Sequence, residues 1–168
     1  LDGRSLRSPA GSLALLPSRG LAEAVASEWY DQAEEINPAT MPLFSLAVTV
    51  LDRVMPQRDA ILRELGAYAA NDLLCYHDGE STELTVRQAE AWLPWIKWAH
   101  DEFGASLQIA NGIMPVVQSD VTLTALQHAV AIHDEWELGM LHRSVTLGGS
   151  LILGLAFLRG RMDPASLF

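Results

Sequence analysis

At Asn71-Asp72 the apolar rhythm of this chain changes, and that change limits what it can fold into. Before it, Ile61, Leu62, Leu65, Tyr68 and Ala69 recur at the spacing of one helix face. After it, Leu73-Leu74-Cys75-Tyr76 is a short continuous apolar run, which predicts a buried strand. A helix that gives way to a strand within two residues points to a mixed α and β fold. The junction holds no nucleophile paired with a base, no glycine cradle and no metal-ligand spacing. No catalytic residue is read among its members.

The 168 residues suffice for one ordinary domain or two small ones, and 49% of them are apolar, which supports a sizeable core. A net charge of −10 repels phosphate backbones and anionic lipid, so neither nucleic acid nor a membrane surface is the expected partner. A basic or neutral protein fits better. The single cysteine, Cys75, excludes an intramolecular disulfide, and its apolar neighbours make it core filling. The apolar stretch Val145 to Leu158 falls short of the roughly 20 residues of a membrane span, so a buried helix is expected and no membrane insertion.

Along the chain, residues 1–17 look β-like. Leu1-Asp2-Gly3-Arg4-Ser5-Leu6 and Leu13-Ala14-Leu15-Leu16 flank a turn at Pro9-Ala10-Gly11. Ser18 is placed to cap a helix with Leu21, Val25 and Trp29 on one stripe, and Asn37-Pro38 ends it. Pro42 suits the first turn of the next helix, whose apolar face is Leu43, Leu46, Ala47, Val50 and Val54, and Pro56 breaks it. The segment Leu84 to Phe103 is helical in pattern, but Pro94 predicts a kink or two short helices. Weak strand signals follow at Leu107-Gln108-Ile109 and Pro115 to Gln118. Ser119 or Asp120 starts a long helix to about Leu141, and another runs from about Val145 to Leu158. The expected fold class is α+β, mainly α: a small N-terminal β-containing unit over residues 1–37, packed on a larger helical domain over 38–168.

Candidate chemistry is thin. The five histidines never form a close ligand pair, and His128 and His133 point to different helix faces. His133 and Glu137, at i and i+4, would supply two ligands, and with His142 they define the rival reading of a small enzyme. His100-Asp101 resembles two members of a hydrolase triad, but no serine sits in a nucleophile elbow. Gly148-Gly149-Ser150 lacks the Lys-Ser or Lys-Thr ending of a phosphate loop; Ser150 and Gly154 on one face suit close helix packing instead. Trp92, Trp95 and Trp98 fan over an arc of about 120° on a regular helix. They suit a core, and they equally suit the centre of a partner surface. No metal site and no cofactor is expected.

With those residues in view, the chain resembles the ATP synthase assembly chaperones that hold the alpha subunit of the enzyme's catalytic head. The resemblance is carried by Leu1-Asp2-Gly3-Arg4, Leu16-Pro17, Glu28-Trp29, Pro38 to Leu43, Asp52-Arg53-Val54 and Tyr68-Ala69. It continues through Asp72-Leu73-Leu74-Cys75-Tyr76, Arg87-Gln88, the Trp92 to Trp98 segment and Gly149-Ser150-Leu151. Asn71 stands where the family has threonine, and His77 where it has arginine. The family's further acidic, tryptophan-bearing helix is not in this sequence, so the helical domain is expected to be C-terminally incomplete.

The resemblance implies a protein that covers an alpha-subunit surface until a beta subunit occupies it, with no cofactor and no ATP hydrolysis. It places Trp29, Asp72, Leu73, Leu74, Cys75, Tyr76, Gly149 and Ser150 in a structural motif. It implies a bacterial cytoplasmic or mitochondrial-matrix setting.

Overall fold

The computed structural model describes residues 5–80, 82–112 and 114–163. The Leu1-Asp2-Gly3-Arg4 motif lies outside them. Of the described residues, 5–58 with Asp134–Gly139 form one compact unit; Asp59–His133 and 140–163 form the other. The fold is mainly helical with a small β part.

In the first unit, Arg7 and Leu13 bridge antiparallel, and Gly11 N–H bonds to Ser8 O across the expected Pro9-Ala10-Gly11 turn. Gly11 sits at φ 89°, the left-handed conformation that glycine adopts without penalty. Helix α1 (Arg19–Tyr30) starts at Ser18, whose hydroxyl accepts the Leu21 N–H. A 3₁₀ turn at Pro38–Thr40 then leads into α2 (Pro42–Thr49), with Pro42 in its first turn as expected. The apolar face of α2 continues through a π-helical turn at Val50–Val54, which the sequence pattern does not reveal. Helices on both sides of residue 37 belong to this unit, whose buried side chains include Val25, Met41, Ala47, Val50, Val54 and Leu138.

The second unit is built on α3 (Arg58–Ala70), α4 (Thr82–Phe103), α5 (Asp120–Ala131), most of α6 (Glu135–Gly148) and α7 (Leu151–Leu158). Two short strands, β1 (Tyr76–His77) and β2 (Ala110–Asn111), pair in parallel with Tyr76 opposite Ala110. Every residue of α7 is apolar, and Leu151, Ile152, Gly154, Leu155 and Ala156 are buried, as suits a helix surrounded by others.

Several expectations are corrected. Leu73-Leu74-Cys75-Tyr76 is not a buried strand. Leu73–Cys75 form a 3₁₀ turn and only Tyr76 enters β1. Asp72 imposes that turn by accepting the Leu74 N–H at 3.0 Å, and Leu73 is left 46% exposed while Leu74 and Cys75 are buried. Pro94 does not divide α4, which runs unbroken as one helix; the proline lies on its exposed side. The long helix expected up to Leu141 is two: the first ends at Ala131, and Asp134 caps the second by accepting the Trp136 and Glu137 N–H groups. Gly149, at φ 72°, separates α6 from α7, so the last helix starts at Leu151 and not near Val145. The strand lies at Ala110–Asn111, three residues beyond the start of the expected Leu107-Gln108-Ile109 stretch.

Close packing at glycine is borne out. A Cβ on Gly154 would lie 2.6 Å from Val145 Cγ2 and 3.1 Å from Leu141 Cδ1, so α7 approaches α6 more closely there than any side chain permits. In the first unit, a Cβ on Gly139 would lie 2.5 Å from Cγ2 of fully buried Val50. Alanine is favoured over glycine in a helix by about 1 kcal/mol. Overpacking a fixed core side chain costs about 1–3 kcal/mol. The overpacking cost less the helix gain leaves Gly139→Ala destabilised by up to about 2 kcal/mol in urea unfolding. A variant more stable than the parent would contradict this packing.

Candidate functional site

The motif residues on either side of the chain's middle meet at one carboxylate. Asp72 is wholly buried, and its Oδ1 accepts the Leu74 N–H while its Oδ2 accepts the Ile152 N–H at 3.1 Å. The Ser150 hydroxyl and the Leu151 N–H also bond to it. Ser150 in turn caps α7 by accepting the Leu153 N–H at 3.1 Å. One step along, Leu73 N–H donates to Gly149 O at 3.3 Å. The expected motif of Asp72 to Tyr76 with Gly149-Ser150 is thus brought together in space at the start of α7, where unpaired N–H groups favour a negative charge.

Burial pushes the Asp72 carboxyl above its ordinary 3.8, against the pull of the hydrogen bonds from Ser150, Ile152, Leu74 and Leu151. Burial also pushes the Cys75 thiol up to about 12, with the Asp72 charge adding to it. Cys75 is the inert core residue that its neighbours suggested.

Two further carboxylates do similar work in the first unit, and sequence reasoning missed both. Met41 stands at the start of α2 with no capping side chain, so the open N–H groups of Leu43 and Phe44 bond to the two Glu28 oxygens, each at 2.8 Å. Asp52 accepts the Ser8 hydroxyl and the Ala10 N–H, fixing the N-terminal turn. The available signal was a proline-started helix with methionine at its cap position. Trp29, next to Glu28, is half-buried and packs edge-on against Phe44 of α2 at 5.0 Å.

All three tryptophans of α4 are half-buried. Trp92 meets the His77 ring edge-on at 5.5 Å, Trp95 meets Trp98 at 6.4 Å, and Trp98 meets Phe103 at 5.1 Å. The Arg159 guanidinium lies over Phe103 and pairs with Glu102, closing that end of the row. His77 here supplies an aromatic neighbour to Trp92, and its Nε2 lies 3.2 Å from Leu74 O. The most exposed line of α4 is the opposite one, Val86, Glu90, Leu93 and Lys97. Beside it runs an open groove of about 740 Å³, lined by Leu93, Pro94, Ile96, His100 and Leu107.

The histidine alternatives do not assemble. His142 Nε2 lies 3.1 Å from Glu64 Oε2. Glu137 reaches back to the Asp134 N–H at 3.4 Å, and His133 is buried. His100 Nδ1 lies 3.0 Å from Ser106 Oγ, but Asp101 pairs with Lys97 and so does not orient that ring. Among the described residues, no three His, Cys, Asp or Glu side chains are grouped to hold a metal ion, and no helix is long and apolar enough to cross a membrane.

Asp72→Ala would leave the donors of Leu74, Ser150, Leu151 and Ile152 without their acceptor. We expect a loss of about 3–5 kcal/mol in denaturant unfolding. Because the folded-state pKa of Asp72 is raised, its stabilising share is complete below 3.8 and declines as pH rises through the folded value. The stability gap between the parent and Asp72→Asn should accordingly narrow from acid toward neutral pH; a widening gap would contradict the direction. Cys75 should resist iodoacetamide in the native protein and react once it is unfolded, as mass spectrometry would show.

Comparison with known proteins places this architecture. The family model described as ATP12 chaperone protein matches residues 1–100. The protein atp12, mitochondrial, of Schizosaccharomyces pombe is 23% identical over 97% of this chain and 60% of its own length. Protein ATP12, mitochondrial, of Saccharomyces cerevisiae is 27% identical over 99% of this chain and 61% of its own. The chain therefore spans about three fifths of the length of these fungal relatives. The crystal structure of Atp12 from Paracoccus denitrificans superposes with a TM-score of 0.94 at 44% identity, covering 98% of this chain and 70% of that one. The resemblance first visible in scattered motifs is a family relationship: the chain belongs to the ATP12 chaperone family, the assembly chaperones of ATP synthase.

Proposed function

We propose that this chain acts as an assembly chaperone for F-type ATP synthase, binding the unassembled alpha subunit and shielding its subunit interface from aggregation without hydrolysing ATP. The observation that carries this reading is the family match over residues 1–100, joined to 44% identity with the Paracoccus Atp12 structure. Physical chemistry supports it. An unassembled subunit exposes apolar interface, and a strongly acidic protein stays dispersed while offering apolar contacts of its own. Neither nucleotide-binding fingerprint is present in the sequence, consistent with a factor that works by binding alone. The proposed setting is the bacterial cytoplasm or the mitochondrial matrix.

Within this reading, Trp92, Trp95 and Trp98 are the proposed contact for the client. Their environments differ, so their variants should differ. Trp98 is held between Trp95 and Phe103, and Trp98→Ala should lower the chain's own stability by about 2–3 kcal/mol. Trp95 touches one aromatic neighbour, and Trp95→Ala should leave the melting curve nearly unchanged while weakening client binding by about 1–2 kcal/mol. The measurement is the soluble fraction of an aggregation-prone alpha subunit on co-expression, beside each variant's melting curve. A stable Trp92→Ala/Trp95→Ala variant that protects fully would move the contact elsewhere. A parent chain that leaves the alpha subunit insoluble would overturn the function.

A further inference from the structure

We propose that Asn111-Gly112 is a deamidation site that the pairing of β1 with β2 holds shut, and that its isoaspartyl product keeps the pair from closing again.

The chemistry starts from the sequence. In an Asn-Gly pair the glycine nitrogen attacks the asparagine Cγ, and the missing Cβ of glycine leaves that approach unhindered. The chain has three asparagines. Asn37 precedes Pro38, whose nitrogen has no proton to lose, and Asn71 precedes Asp72, whose side chain crowds the approach. Asn111 alone precedes a glycine. The backbone imposes that glycine: Gly112 stands at φ 89°, and a Cβ there would meet nothing within 4 Å, so conformation and not space selects it. The labile pair is therefore a consequence of the turn's shape.

The fold treats the two reacting groups differently. Asn111 is exposed, and among the described residues no hydrogen bond holds its side-chain amide. The attacking nitrogen is held. Gly112 N–H donates to His77 O at 2.7 Å, and Asn111 lies opposite His77 in the β1–β2 pair. A Cβ on Gly79 would lie 3.4 Å from both Asn111 C and Gly112 N, so this peptide bond also rests against Gly79. The nitrogen must lose the proton that it shares with His77 O before it can attack. Reaction therefore passes through an opened pair, at a rate set by how often the pair opens.

Once open, the Gly112 nitrogen gives its proton to hydroxide and bonds to Asn111 Cγ. The bond from Cγ to the side-chain nitrogen breaks, and ammonia leaves. Water then opens the five-membered ring at one of its two carbonyls. Breaking the new bond at Cγ gives aspartate. Breaking the original peptide bond gives isoaspartate, with the chain running through the side chain. In sum, an amide and water become a carboxylate and ammonia. The isoaspartyl form adds a carbon to the backbone at the residue that faces His77, which shifts Gly112 N–H off His77 O. The strand that holds His77 against Trp92 then loses part of its partner.

The test incubates the protein at mildly alkaline pH, folded and in urea, and follows conversion of each asparagine by peptide mass spectrometry. In urea Asn111 should react first of the three. In the folded chain it should react about tenfold more slowly or less still, because the open fraction is small. Equal rates in the two states would overturn the gating, and faster reaction at Asn37 or Asn71 in urea would overturn the assignment. Asn111→Gln, which would need a six-membered ring, should lose the conversion at 111 and keep the parent's melting curve. Conversion at the parent's rate in that variant would overturn the cyclic route. The isoaspartyl chain, identified by enzymatic methyl transfer from S-adenosylmethionine to its free α-carboxyl, should melt below the parent after refolding. Asn111→Asp carries the same charge on a normal backbone and should melt near it. An isoaspartyl chain that melts with the parent would overturn the claim that the product keeps the pair apart.

Discussion

The second unit is organised around a buried carboxylate that has nowhere else to go. Asp72 lies between the end of α3 and the start of α7, and its two oxygens receive the donors of Leu74, Ser150, Leu151 and Ile152. A charge in that position is costly unless its acceptor sites are filled, and the start of α7 fills them. The same bonds decide the shape of the 73–75 turn, the placement of β1 and the point where α7 begins. The close approach at Gly154 sets which face of α7 meets α6, and the polar anchor at its first turn adds to that constraint, much as one buried polar residue fixes register in other helical assemblies.

The first unit follows the same logic with Glu28 and Asp52. Each satisfies backbone N–H groups in a segment distant in sequence. Motifs that look unrelated along the chain are therefore partners in space: Glu28-Trp29 with the start of α2, Asp52 with the N-terminal turn, Asp72 with Gly149-Ser150. Each of these contacts holds the start of a helix or a turn in place.

Local signals were legible in the sequence. The Ser18 cap, Pro42 in a first turn, the Pro9-Ala10-Gly11 turn and the mainly α character of the fold all follow from side chains acting on their own neighbourhood. What escaped notice depends on distant partners or on competing local signals. Leu73 to Tyr76 has strand composition, but Asp72 bends its first three residues into a turn. Asp134 with Glu137 is a capping pair hidden inside an apolar rhythm that runs on past it, so α5 and α6 looked continuous. Pro94 broke the pattern without breaking the helix, on whose exposed side it lies. At the candidate site, the spacing of Trp92, Trp95 and Trp98 gave an aromatic arc, but His77 and Arg159, which meet Trp92 and Phe103 at its two ends, come from elsewhere in the chain. Val117 read only as part of a weak extended stretch at Pro115 to Gln118, since exposure is a property of packing and not of composition.

The claim at the centre of this account is that the chain holds an alpha subunit and yields it to the beta subunit without using ATP. The direct measurement purifies a tagged chain from cells that also express the alpha subunit, determines the native mass of the complex in nucleotide-free buffer, and then adds beta subunit. The account predicts a complex of this chain with the alpha subunit, and release of the chain as alpha and beta associate, unaffected by a non-hydrolysable ATP analogue. Absence of the alpha subunit from the purified material, or release that requires ATP hydrolysis, would contradict it.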